Sequence, residues 1–171
     1  MVLLFRTLWK GLTLRFRPPL EALGTSVLRF RVWPNDLDVN IHMNNGRFLS
    51  VMDLGRFDIS FRTGLGRAMW RNRWQPLVGG VTIRYRRSLD PFEAYELHTR
   101  LLGWDDKWFF LEQRFLKRGG DLAAEGVVRA LFRGKEGNVA VAEVLRQMGY
   151  DGPDVVPPPA IQAWAQGSPA S

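Results

Sequence analysis

From Val81 onward the side chains alternate, with Val81, Ile83 and Tyr85 on one side of the chain and Thr82, Arg84 and Arg86 on the other. A period of two marks a half-buried strand, and strand-like runs recur over 95 to 103, 107 to 117 and 121 to 132. Trp104-Asp105-Asp106 and Arg118-Gly119-Gly120-Asp121 separate them by hairpin-length turns, which predicts an antiparallel meander of four strands. Before Gly79-Gly80 the pattern is helical. Apolar residues from Phe48 to Phe61 cover more than one face, so a helix from Asn45 to about Phe61 should be buried on most sides. Gly64-Leu65-Gly66 ends it, 67 to 74 suits a second short helix, and 143 to 150 a last one. An antiparallel sheet wrapped around one long central helix is an α+β architecture.

The chain has 171 residues, 46% of them hydrophobic, which suits one domain over 21 to 150. Pro18-Pro19 closes off an amphipathic basic helix over 1 to 20, in which residues 2 to 16 set Arg6 and Lys10 against Phe5, Leu8, Trp9 and Leu12. That helix is too short and too charged to span a bilayer. It suits either peripheral contact with an anionic membrane or packing against its own domain or a dimer partner. Residues 151 to 171 are rich in Pro, Gly, Ala and Ser and read as an extended or disordered tail. A net charge of +7 favours anionic partners. The basic residues are dispersed rather than gathered in a tract, which argues against nucleic acid. No cysteine is present and the histidines are only His42 and His98, so neither a disulfide nor a metal site is expected, and no cofactor is implied. A cytoplasmic location, with peripheral contact on the inner face of the membrane, fits this composition.

Polar chemistry concentrates in one stretch, Asp36-Leu37-Asp38-Val39-Asn40-Ile41-His42-Met43-Asn44-Asn45. It lies between the strand predicted over 25 to 33 and the central helix. The first amides of a helix have no partners inside it and carry the positive end of its dipole, so a carbonyl oxygen or an anion can be held there. Asp and Asn also gather in turns for structural reasons, as N-caps and Asx-turns, and Asn44, Asn45 and Asp36 fit those roles.

Followed by Gly46-Arg47-Phe48-Leu49, the stretch resembles the signature of hotdog-fold thioesterases, in the 4-hydroxybenzoyl-CoA thioesterase-like group and, closer still, in plant acyl-carrier-protein thioesterases. The resemblance implies a hotdog fold, and an acyl-CoA or acyl-carrier-protein thioester as substrate, cleaved to a free fatty acid. It implies a homodimer or homotetramer, with a ligand tunnel between subunits. It places Asp38 at the catalytic carboxylate position, with Asn40 and His42 as supporting or co-catalytic groups. Asn44, Asn45, Gly46 and Phe48 then become substrate-binding residues, with amides near Asn45 and Gly46 stabilising the oxyanion and Phe48 and Trp74 lining the acyl tunnel. Two departures stand out: Ile41 precedes the histidine where many bacterial relatives have glycine, and the later-strand cysteine of the plant enzymes has no counterpart, which excludes a cysteine mechanism.

Two other readings use the same residues. An (R)-specific enoyl-CoA hydratase also takes an Asp and a His from one loop, but the spacing from Asp38 to His42 is one residue short for it. A non-catalytic acyl-binding or membrane-associated protein would bind acyl-CoA without releasing thiol. Arg84, Arg86, Arg100, Arg114, Arg129 and Arg133 alternate along the strands and suit either a solvated outer face or contacts to CoA phosphates. Arg56 is expected to pair with Asp53 or to lie near the dimer contact, Asp53, Arg56 and Asp58 together suit a structural ion pair, and His98 reads as an exposed strand residue.

Overall fold

The computed structural model describes residues 17–167. Strand β1 (Ser26–Arg31) leads through a short 3-10 turn (Pro34–Asp36) and the polar loop into α1 (Asn45–Arg62) and α2 (Leu65–Asn72). Strands β2 (Gln75–Tyr85), β3 (Ala94–Trp104), β4 (Phe109–Lys117), β5 (Leu122–Gly134) and β6 (Gly137–Asn138) follow, then α3 (Val141–Gln147) and α4 (Pro159–Ala165). The long strands lie in the order β1-β3-β4-β5-β2, all neighbours antiparallel, and β6 adds to β5.

The expected four-strand meander is therefore only three strands long. β3, β4 and β5 form it, whereas β2 crosses over to pair with β5 and becomes an edge. Alternation identifies a strand but carries no information about its neighbour, which explains the difference. β2 also begins at Gln75, so Gly79-Gly80 lie inside it, next to a bulge between Val78 and Gly80. A Cβ on Gly79 would stand 2.2 Å from the Trp108 ring, so the glycine makes room for an indole rather than ending an element.

The sheet curls around α1, whose Phe48, Val51, Met52, Leu54 and Ile59 are buried. All of these but Ile59 join Phe30, Tyr95, Leu97 and Phe115 in the main core. Gly55 lets the helix settle close, since a Cβ there would be 2.3 Å from Thr99 Oγ1. Beside it the fully buried Gln113 donates to the Met52 carbonyl (2.9 Å) and Thr99 Oγ1 (3.0 Å) and accepts from Arg56 (2.9 Å), which bonds the middle of α1 to β3 and β4. The helix is less enclosed than its composition suggests: Leu49, Phe57 and Phe61 are exposed on one side. Those residues and the open edge of β2 form one apolar margin of the molecule. A second core joins α2 and α3 to the far end of the sheet through Leu65, Leu101, Phe109, Phe132 and Val144.

Of the tail expected to be extended or disordered, 151 to 158 carry no helix or strand, Pro159–Ala165 form α4, and both stretches dock on the sheet. Trp104 donates its backbone N–H to the Val155 carbonyl (3.0 Å) and its indole N–H to Asp154 (3.1 Å), and Arg129 donates to the Ala165 carbonyl (2.6 Å) while lying between the Trp108 and Trp164 rings. Gly103 has φ of +148°, and a Cβ there would meet the Val155 oxygen at 2.3 Å, so glycine is needed for the tail to dock. On the outer face two of the six arginines form ion pairs, Arg86 with Glu125 and Arg100 with Glu112, and His98 bonds Glu96. The Arg56–Asp53 pair is present on α1. The amphipathic segment 2–16 lies outside the described residues.

Candidate active site

Each residue of the polar loop has a defined place, and the two carboxylates differ. Asp36 is 2% exposed. It closes the 3-10 turn by accepting the Trp33 N–H (3.0 Å), and its own carbonyl accepts the Asn44 N–H (2.8 Å). Arg47 lies 3.7 Å from its Oδ1. Asp36 thus holds the loop to the start of α1. Met43, buried at 3%, secures the other side by donating its N–H to the Leu89 carbonyl (2.9 Å) and bridging to Leu37.

Between Leu37 and Met43 the chain makes a tight reversal, with the Asp38 N–H bonded to the His42 carbonyl (2.9 Å) and the Ile41 N–H to the Asp38 carbonyl (3.1 Å). Asp38 Oδ1 accepts the backbone N–H of Asn40 (2.9 Å) and, more weakly, of His42 (3.4 Å). Both hydrogen bonds fall on one oxygen, so among the described residues Oδ2 is left for water or substrate. His42 is about half exposed, with Nε2 3.6 Å from Asp90 Oδ1. Asn44 caps α1 by accepting the Gly46 N–H at its side-chain oxygen (2.8 Å). The Gly46 amide expected at an oxyanion is therefore occupied, whereas the Asn45 amide, at the first helical position, has no hydrogen-bond partner among the described residues.

Asp38, His42, Asn45 and Phe48 line one cleft of about 300 Å³ together with Met43, Tyr85, Arg86, Arg87 and Ser88. Asn40, Asn44 and Gly46 are exposed but shape the loop rather than line the cleft. Phe48 stacks edge-on against Tyr85 and Phe115 as part of the core, and Trp74 packs in the second core, away from the cleft. The wall from Tyr85 to Ser88 escaped the reading of the sequence except for Arg86, one of the six strand arginines. It comes from the end of β2, about forty residues later, and its only sequence signal is an aromatic and basic strand end before Asp90-Pro91. Tyr85 donates its hydroxyl to the Asn45 carbonyl (3.2 Å), and partial burial pushes its pKa up, which keeps it protonated.

Ile41 sits in the left-handed region at φ of +61° with its side chain exposed. That conformation costs a β-branched residue about 1–2 kcal/mol, which explains glycine in many relatives. Ile41 donates its N–H to the Asp38 carbonyl and so takes part in the reversal. Ile41→Gly is expected to raise stability by about 0.5–1 kcal/mol, the relieved strain less the added entropy of an unfolded glycine. Urea unfolding of the two chains measures it, and a loss of stability would contradict the strain.

A profile described as the thioesterase-like superfamily matches residues 32–165, which includes the loop, the cleft and every strand of the sheet except β1. The chain belongs to that superfamily. Among the relatives of this thioesterase-like chain, Protein THEM6 of Danio rerio is 40% identical over 153 residues, covering 88% of this chain and 75% of that one. The probable thioesterase YbaW of Escherichia coli superposes with a TM-score of 0.66 at 22% identity, over 71% of this chain and 97% of that one. A Staphylococcus aureus protein, SAV2348, solved in complex with CoA, superposes with a TM-score of 0.65 at 16% identity, over 84% and 94%. The fold is the hotdog fold, an α+β arrangement of curled antiparallel sheet and helix, and the chemistry that the family supports is thioester hydrolysis.

Proposed function

We propose that this thioesterase-like chain hydrolyses acyl-CoA to a free fatty acid and CoA, with Asp38 as the catalytic carboxylate. The observation that carries the reading is the division of labour within Asp38: Oδ1 accepts the two loop amides, Oδ2 accepts none among the described residues, and the residue lines the cleft at the start of α1. A carboxylate is ionised at neutral pH and can take a proton from water or attack directly. The thioester carbonyl would point its oxygen at the Asn45 amide, at the positive end of α1, where charge developing on it is stabilised. Water then adds to the carbonyl carbon, its proton passes to Asp38, and the C–S bond breaks as the oxyanion collapses. A thiolate is a good leaving group, since thiols have a pKa of about 8.5. His42, at the exposed edge of the cleft, orients the thioester or returns the proton to the departing sulfur, and Asn40 contributes its backbone N–H to Asp38.

Arg86 and Arg87 on the opposite rim suit the phosphates of CoA. Arg86 is paired with Glu125, whereas the contact of Arg87 to Asp121 is 3.5 Å long and exposed, so Arg87 is the freer of the two to exchange partners. A homodimer belongs to the same proposal. The edge of β2, with exposed Leu77, Val78 and Val81, and the open side of α1 offer a second copy both backbone hydrogen bonds and apolar area. So does peripheral membrane contact through residues 2–16 on a cytoplasmic protein; no helix among the described residues is long and apolar enough to cross a membrane. A chain starting at Arg17 should then bind anionic vesicles less than the full chain, and equal co-sedimentation would remove that element. The reaction is tested by thiol release over a series of acyl-CoA and acyl-carrier-protein lengths, where absence of release from every one would refute it.

A further inference from the structure

Helix α2 turns one basic and aromatic face to solvent. Its Leu65 and Ala68 are buried and Met69 is half-buried, which leaves Arg67, Trp70 and Arg71, spaced i, i+3 and i+4, on the opposite side. Trp70 is 88% exposed. Arg73, also exposed, ends the helix in the left-handed region at φ of +57°. The charge here has one sign. Between Asp58 and Asp90 the sequence has seven arginines and no acidic residue, and among the described residues Arg67, Arg71 and Arg73 lie in no ion pair. Arg71 donates to the neutral Gln147 side chain (2.6 Å), and Glu143, which Gln147 also bonds, is paired with Arg146.

A solvated helix face accounts for the arginines but not for the indole. Tryptophan is highly buried on average, and an exposed one beside cations suits the boundary between lipid head groups and acyl chains, where its ring is half wetted. Arginines add attraction to anionic head groups. A second copy fits this face poorly, because a twofold contact would set unpaired arginines against each other. The course of the chain points the same way. Arg17 bonds Asp58 (2.8 Å) and the Leu20 N–H bonds the Arg62 carbonyl (3.0 Å), so the basic and apolar residues 2–16 join the fold at the end of α1 from which α2 begins.

We infer that the α2 face formed by Arg67, Trp70 and Arg71, with Arg73, is a docking surface for an anionic lipid bilayer. The inference does not rest on the hydrolase reading, and it places a membrane contact in the folded domain, separate from the one proposed for residues 2–16. The indole enters the interface, and the guanidiniums meet lipid phosphates and carboxylates, which the Arg fork matches. Each arginine contributes roughly fivefold to partitioning onto an anionic surface. The cleft lies at the other end of α1, about 27 Å along an 18-residue helix.

The test uses the full chain with vesicles of phosphatidylcholine, pure or mixed with an equal part of phosphatidylserine. No cysteine is present, so Trp70→Cys can carry a single polarity-sensitive NBD label, and Val39→Cys, 97% exposed in the loop at the far end of α1, a control. Emission should move to the blue at position 70 on the mixed vesicles, and stay unchanged at position 39. Partitioning onto the mixed vesicles should fall in Trp70→Ala, and roughly 25-fold in the double variant Arg67→Gln/Arg73→Gln, about fivefold for each charge. Contacts on one molecule multiply in the partition coefficient, so this loss is read whatever residues 2–16 contribute. An unshifted label at position 70 on vesicles that carry the chain down overturns the inference, as does unaltered partitioning in both α2 variants at unchanged melting temperature. A dimer that dissociates in Trp70→Ala overturns it in favour of a second copy. Binding of a single-stranded oligonucleotide that is lost in Trp70→Ala, with no shift on vesicles, overturns it in favour of nucleic acid.

Discussion

Asp58→Ala is expected to lower stability by about 3–5 kcal/mol, the scale for leaving a buried ion pair without one partner. The side chain of Asp58 is fully buried on α1 and gathers Arg17 (2.8 Å), the Ser26 hydroxyl and Arg62 (3.4 Å). The two guanidiniums are committed further, Arg17 to the Val27 carbonyl (2.7 Å) and Arg62 to the Pro18 carbonyl (2.9 Å). Removing the carboxylate leaves two cations facing each other in a half-buried site and removes the bond of Arg17 to α1. At about 2–4 °C per kcal/mol for a chain of this size, the melting temperature should fall by about 10 °C or more. Asp58→Asn should cost less, because an amide oxygen still accepts from Ser26 or Arg17. A melting temperature unchanged in Asp58→Ala would mean that the cluster contributes nothing to the fold.

That cluster was only partly legible beforehand. In sequence Asp58 is one polar interruption of an apolar helix, and its partners lie 41 and 32 residues upstream. The same distinction runs through the whole chain. The period of two in β3 and the apolar run of α1 arise from side chains meeting one core, so the elements were readable to within a few residues. Pairing was not: β2 looks like the first strand of a meander, yet it lies beside β5, because strand order depends on closing the sheet around α1. The helix at Pro159–Ala165 and the docking of the tail were missed for a related reason. Its Pro and Gly content argues against helix and strand, but Trp104, Arg129 and the missing side chain of Gly103 provide a docking surface that composition cannot reveal.

The loop was legible because its residues are contiguous. Asp36 and Asp38 are two positions apart and were assigned different roles, turn closure and chemistry, and the geometry supports the first directly: Asp36 is buried and bonded to Trp33, Asn44 and Arg47. Tyr85 and Arg87 were not found, since a cleft assembled from two distant segments has no local pattern. Phe48 was found for a partly different reason, as a core residue that also borders the cleft.

For Asp38 the expected effect falls on turnover rather than on stability. In Asp38→Asn the side-chain oxygen still accepts the Asn40 and His42 amides, so the loop keeps its shape, while the group that takes the proton or attacks is gone. A loss of roughly a hundredfold or more in kcat is the usual scale for removing a general base. His42→Ala should cost less if the imidazole only orients the thioester, and about as much if it carries the proton. Asp36→Asn should behave in the opposite way to Asp38→Asn, losing stability before activity.

The most direct measurement is thiol release from dodecanoyl-CoA by the unmodified chain and by Asp38→Asn, with the melting temperature of each recorded alongside. The account predicts turnover by the first, a loss of about a hundredfold or more in the second, and matching melting temperatures. Undiminished turnover by an Asp38→Asn protein of unchanged melting temperature would contradict it, because the only other carboxylate of the loop, Asp36, is buried and bonded to the backbone that holds the loop in place.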